Sequence, residues 1–406
     1  MKILAVNKFY YVKGGAESYF FSLNNLLEQN GHEIIPFSMK DKKNLYSKYE
    51  EYFINNVNYT NMGLKTKIIN TGKIIYSFEA AKKIKNIIRD TSPVLAHLHI
   101  FQHQMSPSII FSIRKAKIPI VNTVHDLKVI CPNYKMLNSN GICEECKGQK
   151  YFNCLVNSCT KGSKLYSAIN MFEAYLHKYL KSYSYVDKFI CPSEFYRRKF
   201  IEFGVLESKL EYIPNFVDVK QFHPCYESQD YFVYVGRLSE EKGIKTLIRS
   251  MKDVKSSKLY IIGTGPIEGE LKNQVNNLNL KNVEFLGFKT GNELENAIKN
   301  SKFTIIPSEW YENCPMSVIE AMAYGKAVIG SDLGGIPELI EDGITGLIFK
   351  AGDNEELAKK INYMLDNYKV CKEMGVKGRA RAESVYDKGI HYEKVNEVYK
   401  TLLKNR

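Results

Sequence analysis

Apolar residues along the chain fall into short runs that alternate with longer segments of helical spacing. Lys2–Asn7 reads as an apolar strand and is followed by a Gly14-Gly15 turn. Ala16–Asn30 carries Tyr19, Phe20, Leu23, Leu26 and Leu27 at the spacing of one helix face, and Asn30-Gly31 closes it. Glu33–Phe37, Val94–His99, Ile118–Val124, Lys188–Cys191 and Leu210–Ile213 read as further strands, with helices over Pro107–Ala116 and Leu165–Tyr183. A second cycle begins after a polar, turn-rich stretch from Pro214 to about Asp230. It has strands at Tyr231–Val235, Lys258–Ile262, Asn282–Leu286, Phe303–Pro307 and Ala327–Gly330. Helices are expected over Ile244–Met251, Ile267–Asn277, Asn292–Asn300, Asn354–Asn367 and Tyr392–Leu403. Strands alternating with helices predict buried parallel sheets, with ligands beyond the carboxyl ends of the strands. That rule gathers Gly14-Gly15, His99 and His125-Asp126 at one edge of the first half. The expected organisation is two Rossmann-like α/β domains facing a central cleft. The first spans 1–215 and includes a cysteine-rich insertion at 131–162; the second spans 216–385. A C-terminal helix, 386–406, would cross back to the first.

Charge changes this picture. The chain of 406 residues has a net charge of +13. Residues 1–210 hold 30 Lys+Arg against 16 Asp+Glu, whereas 211–406 hold 27 against 28, so the whole surplus belongs to the first half. A basic half suits phosphorylated substrates or an anionic lipid surface. Leu64–Asp90 is a basic helical pattern that could lie on such a surface, although a core-facing helix with a solvated basic side is the simpler reading. Nucleic acid is disfavoured as a partner, because the aromatic residues do not interleave with the basic ones as a stacking platform requires. No apolar run approaches a membrane span, and the apolar start is too short for a signal sequence. A cytoplasmic location is therefore expected, peripheral on the inner membrane face if the basic half meets lipid.

The most informative stretch for chemistry is Pro307–Leu339. Pro315 suits a first helical position and Gly325 the end of the same helix, so Glu312 falls in the preceding loop and Glu320 inside the helix. Free N–H groups at the helix start, between the two acids, suit an anion. A sugar, a diphosphate and a ribose need that order of groups, although two glutamates at this spacing alone read more simply as a loop acid and a helix-surface acid. Arg237 and Lys242, in G-R-L-S-E-E-K-G, lie at the same sheet edge, where they can clamp a diphosphate. Gly263-Thr264-Gly265 lacks the third glycine of a dinucleotide fingerprint, position six being Glu268, so a nicotinamide or flavin is rejected.

Together these motifs resemble the family-4 retaining glycosyltransferases of the GT-B fold (glycosyl transferases group 1). The second half carries G-R-L-S-E-E-K-G, G-T-G-P, F-L-G at Phe285–Gly287, E-N-C-P-M-S-V-I-E-A-M-A and G-G-I-P-E. The first carries G-G-A-E at Gly14–Glu17, H-L-H at His97–His99, V-H-D at Val124–Asp126 and I-P-N at Ile213–Asn215. The resemblance implies a transferase that moves a sugar from a nucleotide-diphosphate donor to a saccharide or polyprenyl-diphosphate-linked acceptor, in cell-surface polysaccharide assembly such as capsule or lipopolysaccharide. It implies that Glu312 binds the reacting sugar, Glu320 the ribose, Arg237 and Lys242 the leaving diphosphate, and that His125 lies near the anomeric carbon. It further implies a donor-binding set of Gly15, Gly265, Gly287, Asn313, Cys314, Pro315, Met316, Ser317 and Glu320. No two aspartates are spaced D-x-D, the usual metal-diphosphate pattern of the other transferase fold, so no catalytic cofactor is expected. A GT-B nucleotide-sugar epimerase and a non-catalytic sugar-nucleotide-binding subunit are the rival readings. The first would form product without acceptor, and the second predicts missing acids.

Cys143, Cys146, Cys154 and Cys159 stand apart from this chemistry. Two close thiol pairs in a chain expected in a reducing compartment suit a structural tetrahedral zinc, the alternative being a loop of unligated thiols or an occasional disulfide.

Overall fold

The computed structural model describes residues 1–56, 72, 75–254 and 256–404. They form two compact units, one of Met1–Ile213 together with the chain from Tyr392 on, the other Pro214–His391. The first is built on a wholly parallel six-stranded sheet of β1 (Lys2–Val6), β2 (Glu33–Phe37), β3 (Leu95–Leu98), β4 (Ile120–Thr123), β7 (Lys188–Cys191) and β8 (Leu210–Tyr212), in the order β2-β1-β3-β4-β7-β8. Between β4 and β7 lies a two-stranded hairpin, β5 (Leu137–Asn138) and β6 (Gly141–Ile142), inside the cysteine-rich insertion. The second unit repeats the plan with β9 (Tyr231–Val235), β10 (Lys258–Ile262), β11 (Val283–Gly287), β12 (Phe303–Ile306), β13 (Ala327–Ser331) and β14 (Gly346–Phe349), in the order β11-β10-β9-β12-β13-β14. The inner strands of both sheets are buried on both faces, which is why they read as continuous apolar runs such as Ile3-Leu4-Ala5-Val6 and Phe232-Val233-Tyr234.

Strand order reverses between β1 and β3 in the first unit and between β9 and β12 in the second. At such a point the loops leaving the two strands diverge to opposite faces and leave a crevice at their carboxyl ends. The loops concerned are 7–14 and 99–107 in the first unit, 236–243 and 307–315 in the second. Topology alone therefore brings the loop that carries Arg237 and Lys242 beside the loop that carries Glu312.

The boundary between the units differs from expectation at both crossings, for one reason. Val217 pairs with Asp387 in an isolated parallel bridge, the Phe216 ring stacks on His391 at 4.3 Å, and the Pro214 carbonyl accepts from His391 Nδ1 at 2.9 Å. These contacts join the two crossing segments to each other within the second unit. The C-terminal helix runs over Lys388–Lys404, and Tyr399 on it is fully buried in the first unit.

Among the elements that escaped the sequence reading are β14 and a helix over Tyr368–Val385. The buried side of that helix is Cys371, Met374, Gly375, Gly378 and Ala382, mostly small, so it shows no apolar stripe. Its small residues permit close packing: a Cβ on Gly375 would lie 2.2 Å from the Gly325 carbonyl oxygen. Of the basic pattern at Leu64–Asp90, the first part lies mainly outside the described residues. The remainder is a helix, Phe78–Thr91, that buries Ala80, Ile84 and Ile87, as the core-facing reading expects.

Candidate active site

The second-unit site is assembled around Glu312. Its carboxylate is buried, and Oε1 accepts from Lys242 Nζ at 2.6 Å and from Ser308 Oγ at 2.7 Å. The Lys242 ammonium also stands over the Trp310 ring, 5.3 Å from its centroid. Burial pushes the Glu312 pKa up, but the Lys242 charge and the hydrogen bonds from Lys242, Ser308 and Trp310 outweigh it, and the net shift is downward. Glu312 is thus an ionised carboxylate, aimed by three neighbours.

Glycines make this approach possible. Gly243 ends the turn that carries Lys242 with φ +67°, and a Cβ there would lie 1.8 Å from the Pro307 carbonyl oxygen at the end of β12. Gly334 has φ +64°, and its Cβ would lie 2.3 Å from the Glu312 carbonyl oxygen, which also accepts from the Gly335 N–H at 2.8 Å. The G-G-I-P turn therefore backs the Glu312 loop, and the lysine turn fits against β12, only because these positions lack side chains.

Arg237 is exposed and forms no ion pair among the described residues, while its carbonyl accepts from the Tyr234 hydroxyl at 3.0 Å. Pro315 sits one position earlier than expected, as the residue before the helix Met316–Ala323, with extended backbone (φ −65°, ψ 120°). Asn313, Met316 and Ser317 are half-buried around this helix start. Cys314 is buried, which pushes its thiol up to about 12, and its carbonyl accepts from Asn215 Nδ2 at 2.7 Å. It acts as a small packing residue whose backbone is pinned by the asparagine of the I-P-N motif, a role for Asn215 that spacing did not reveal. Glu320 lies half-buried on the helix, and desolvation pushes its carboxyl upward.

The glycines further along the edge differ in kind. Gly265 has a packing reason, since a Cβ would lie 2.1 Å from the Leu238 carbonyl oxygen. Gly287 needs its left-handed conformation (φ +70°) to end β11, and its Cβ position faces open space.

In the first unit the carboxyl ends of β1, β3 and β4 present a different chemistry. His97, His99 and His125 form a stack, with centroids 4.4 Å apart for the first pair and 5.3 Å for the second. His97 bridges the Tyr399 hydroxyl at 2.5 Å and Thr123 Oγ1 at 2.8 Å, and His99 Nδ1 lies 3.1 Å from His125 Nε2. Desolvation drives His125 down to about 3, so it is a neutral imidazole near neutral pH. Gly15 opens the helix Gly15–Gln29, and a Cβ on it would meet nothing within 4 Å. Among the described residues no contact requires glycine there. Lys8, which the sequence reading passed over, follows β1 directly. Burial and the neighbouring Lys13 lower its ammonium to about 8 against the opposing pull of Glu17 and Asp126.

The cysteines of the insertion do converge. Cys143, Cys146, Cys154 and Cys159 line one cavity, and Cys131, unnoticed in the spacing, lines it as well. Among the described residues no three His, Cys, Asp or Glu side chains stand as a metal shell. Cys154 and Cys159 instead share a hydrogen bond, which lowers the first thiol's pKa and raises the second's.

Residues 13–221 match the model of Glycosyltransferase Family 4, and residues 217–381 match that of Glycosyl transferases group 1. An uncharacterized glycosyltransferase of Methanocaldococcus jannaschii is 30% identical over 234 residues, 56% of this chain and 63% of that protein. The N,N'-diacetylbacillosaminyl-diphospho-undecaprenol alpha-1,3-N-acetylgalactosaminyltransferase of Campylobacter jejuni is 26% identical over 243 residues, 56% of this chain and 64% of that one. The matches therefore span less than two thirds of these relatives. Among solved structures, sucrose-phosphate synthase from Thermosynechococcus elongatus superposes with a TM-score of 0.74 at 18% identity over 100% of both chains. Anabaena HepE in complex with UDP gives 0.71 at 18% identity over 99% of this chain and 100% of that one. The two parallel sheets, the motif order and these matches agree, and the chain belongs to glycosyltransferase family 4, with the GT-B fold.

Proposed function

We propose that the protein is a retaining, metal-independent glycosyltransferase that moves a sugar from a nucleotide-diphosphate donor held by the second unit to an acceptor held by the basic first unit. The observation that carries this reading is the site at the β9/β12 switch point: an ionised Glu312 fixed by Lys242 and Ser308, an exposed Arg237, and Glu320 on the following helix. An epimerase or a binding subunit has less use for a large basic unit or for the full set of acids. Relatives include a transferase named for a diphospho-undecaprenol substrate, which supports a lipid-diphosphate-linked saccharide as acceptor and polysaccharide assembly as the process.

In the step proposed, the bond between the anomeric carbon and the diphosphate oxygen breaks while the acceptor hydroxyl oxygen bonds to the same face of that carbon. The hydroxyl proton passes to the departing phosphate. Arg237 and Lys242 take up the charge that develops on the diphosphate as it departs. Glu312 accepts hydrogen bonds from the sugar hydroxyls, Glu320 from the ribose, and neutral His125 bonds to the sugar near the reacting carbon.

Arg237→Ala should lower kcat by roughly a hundredfold or more with the accepted donor and acceptor, in line with loss of one fixed group at a developing anion; full turnover in that variant would overturn the mechanism. The raised pKa of Glu320 gives a pH signature. Its carboxyl takes up a proton at a higher pH than an ordinary glutamate, at about 4.3, so a hydroxyl acceptor is lost early as pH falls. Donor KM should rise on mild acidification in the wild type and be higher but flat in Glu320→Gln, and identical pH profiles would contradict the assignment.

The thiol cavity is proposed to be structural. Its thiols do not stand as a metal shell in this structure, and a structural zinc held by Cys143, Cys146, Cys154 and Cys159 would require them to close around it; it would have no open position and no part in transfer. Metal analysis of the purified protein should find one zinc per chain, whereas less than one would leave the cavity a cluster of reduced thiols.

A further inference from the structure

The helix Lys164–Tyr179 is inside out. Its buried residues are Ser167, Asn170, Glu173 and His177, all polar. On the opposite side, Leu165 is 69% exposed, Phe172 56% and Tyr179 83%, with half-buried Ile169 and Leu176 between them. These five positions follow the i, i+4, i+7, i+11, i+14 spacing of one continuous stripe. A helix on the surface of a water-soluble protein normally turns such a stripe to the core, as Phe78–Thr91 does here.

The inversion is held by specific polar contacts. Glu173 Oε2 accepts from Lys128 Nζ at 2.8 Å, with the two side chains 1% and 4% exposed. His177 lies 2.9 Å from both Ser182 Oγ and the Ile75 carbonyl; Asn170 Nδ2 donates to Thr160 Oγ1 and the Thr160 N–H to Ser167 Oγ, each at 2.9 Å. A buried ion pair is weak as a source of stability compared with apolar packing, yet directional. Here the directional contacts fix the rotation of the helix so that its apolar side faces out.

The surroundings name the occupant. Residues 147–186 contain six lysines (Lys147, Lys150, Lys161, Lys164, Lys178, Lys181) and one acid, the buried Glu173. All six lysines are exposed, with Lys161 and Lys164 at one end of the stripe and Lys178 and Lys181 at the other. Phe152, Val156, Tyr166 and Tyr185 add further exposed apolar surface in the same stretch of chain. Two copies of this chain meeting stripe to stripe would bring like-charged ends together. A bilayer containing anionic phospholipid accepts both features: the apolar stripe enters the acyl boundary, the tyrosines sit at headgroup level, and the lysine stems reach back to the phosphates.

We propose that the helix Lys164–Tyr179 is the element by which this protein docks on an anionic membrane surface, lying in its plane. In the earlier candidate, the basic pattern Leu64–Asp90, the described helix Phe78–Thr91 has its apolar side in the core and so offers no such stripe. None of the residues of this surface is among the transfer residues, and docking requires no particular acceptor, so its failure would leave the transferase reading intact.

Flotation of the full chain with vesicles tests it. The protein should float with phosphatidylcholine vesicles containing phosphatidylglycerol and stay behind with phosphatidylcholine alone. Leu165→Ser/Phe172→Ser/Tyr179→Ser, with an unchanged Tm, should lose vesicle binding by roughly a hundredfold. Lys161→Gln/Lys164→Gln/Lys178→Gln/Lys181→Gln should lose at least roughly tenfold and become insensitive to salt. Equal binding to neutral and anionic vesicles, no binding to either, or full binding by the serine variant would overturn the proposal. So would a dimer that the serine variant dissolves, which would make the stripe an interface between two copies.

Discussion

The Lys242–Glu312 pair is the constraint on which the second unit's site depends. It couples the loops leaving β9 and β12, the two strands between which the sheet order reverses, and everything around it serves that coupling. The turn carrying Lys242 packs against the end of β12 only because Gly243 lacks a side chain, and Gly334 does the same for the backbone of Glu312. Ser308 donates to the carboxylate and in turn has its carbonyl engaged by Ser331 at 2.6 Å. Asn215 pins the Cys314 carbonyl two residues further on. Removing either partner of a buried pair leaves the other charge uncompensated, so the cation and the acid hold each other in the geometry a donor would meet.

Much of this was legible in the chain because parallel sheets buried on both faces leave an unmistakable apolar rhythm. The strands at Tyr231–Val235 and Lys258–Ile262 fall where the pattern puts them, and both acids of the Pro307–Leu339 stretch lie on the predicted loop and helix. What escaped had physical reasons. The helix Tyr368–Val385 buries glycine, alanine and cysteine where a hydrophobic pattern needs bulk. Lys8 is one lysine among many until the sheet places it beside Glu17 and Asp126. Cys131 lies far enough from the other thiols in sequence that only the fold of the insertion brings it to their cavity. Gly265, a ligand candidate by motif, has its glycine explained by a neighbouring carbonyl.

The helix Lys164–Tyr179 shows the limit most clearly. Its sequence is amphipathic and was readable as a helix, but amphipathicity does not say which side faces in. The answer depends on Lys128, Thr160 and Ser182, which meet its polar side only in three dimensions. Part of the surplus of positive charge in the first half then finds a place: Lys161, Lys164, Lys178 and Lys181 stand at the two ends of an outward apolar stripe.

The central claim is a division of labour between two glutamates eight positions apart, Glu312 on the reacting sugar and Glu320 on the nucleotide. The most direct measurement is the comparison of kcat and donor affinity in Glu312→Ala and Glu320→Ala, each with its Tm recorded. The account predicts that the first variant loses kcat far more than affinity and the second loses affinity far more than kcat. Equal losses in both quantities for both variants would contradict it.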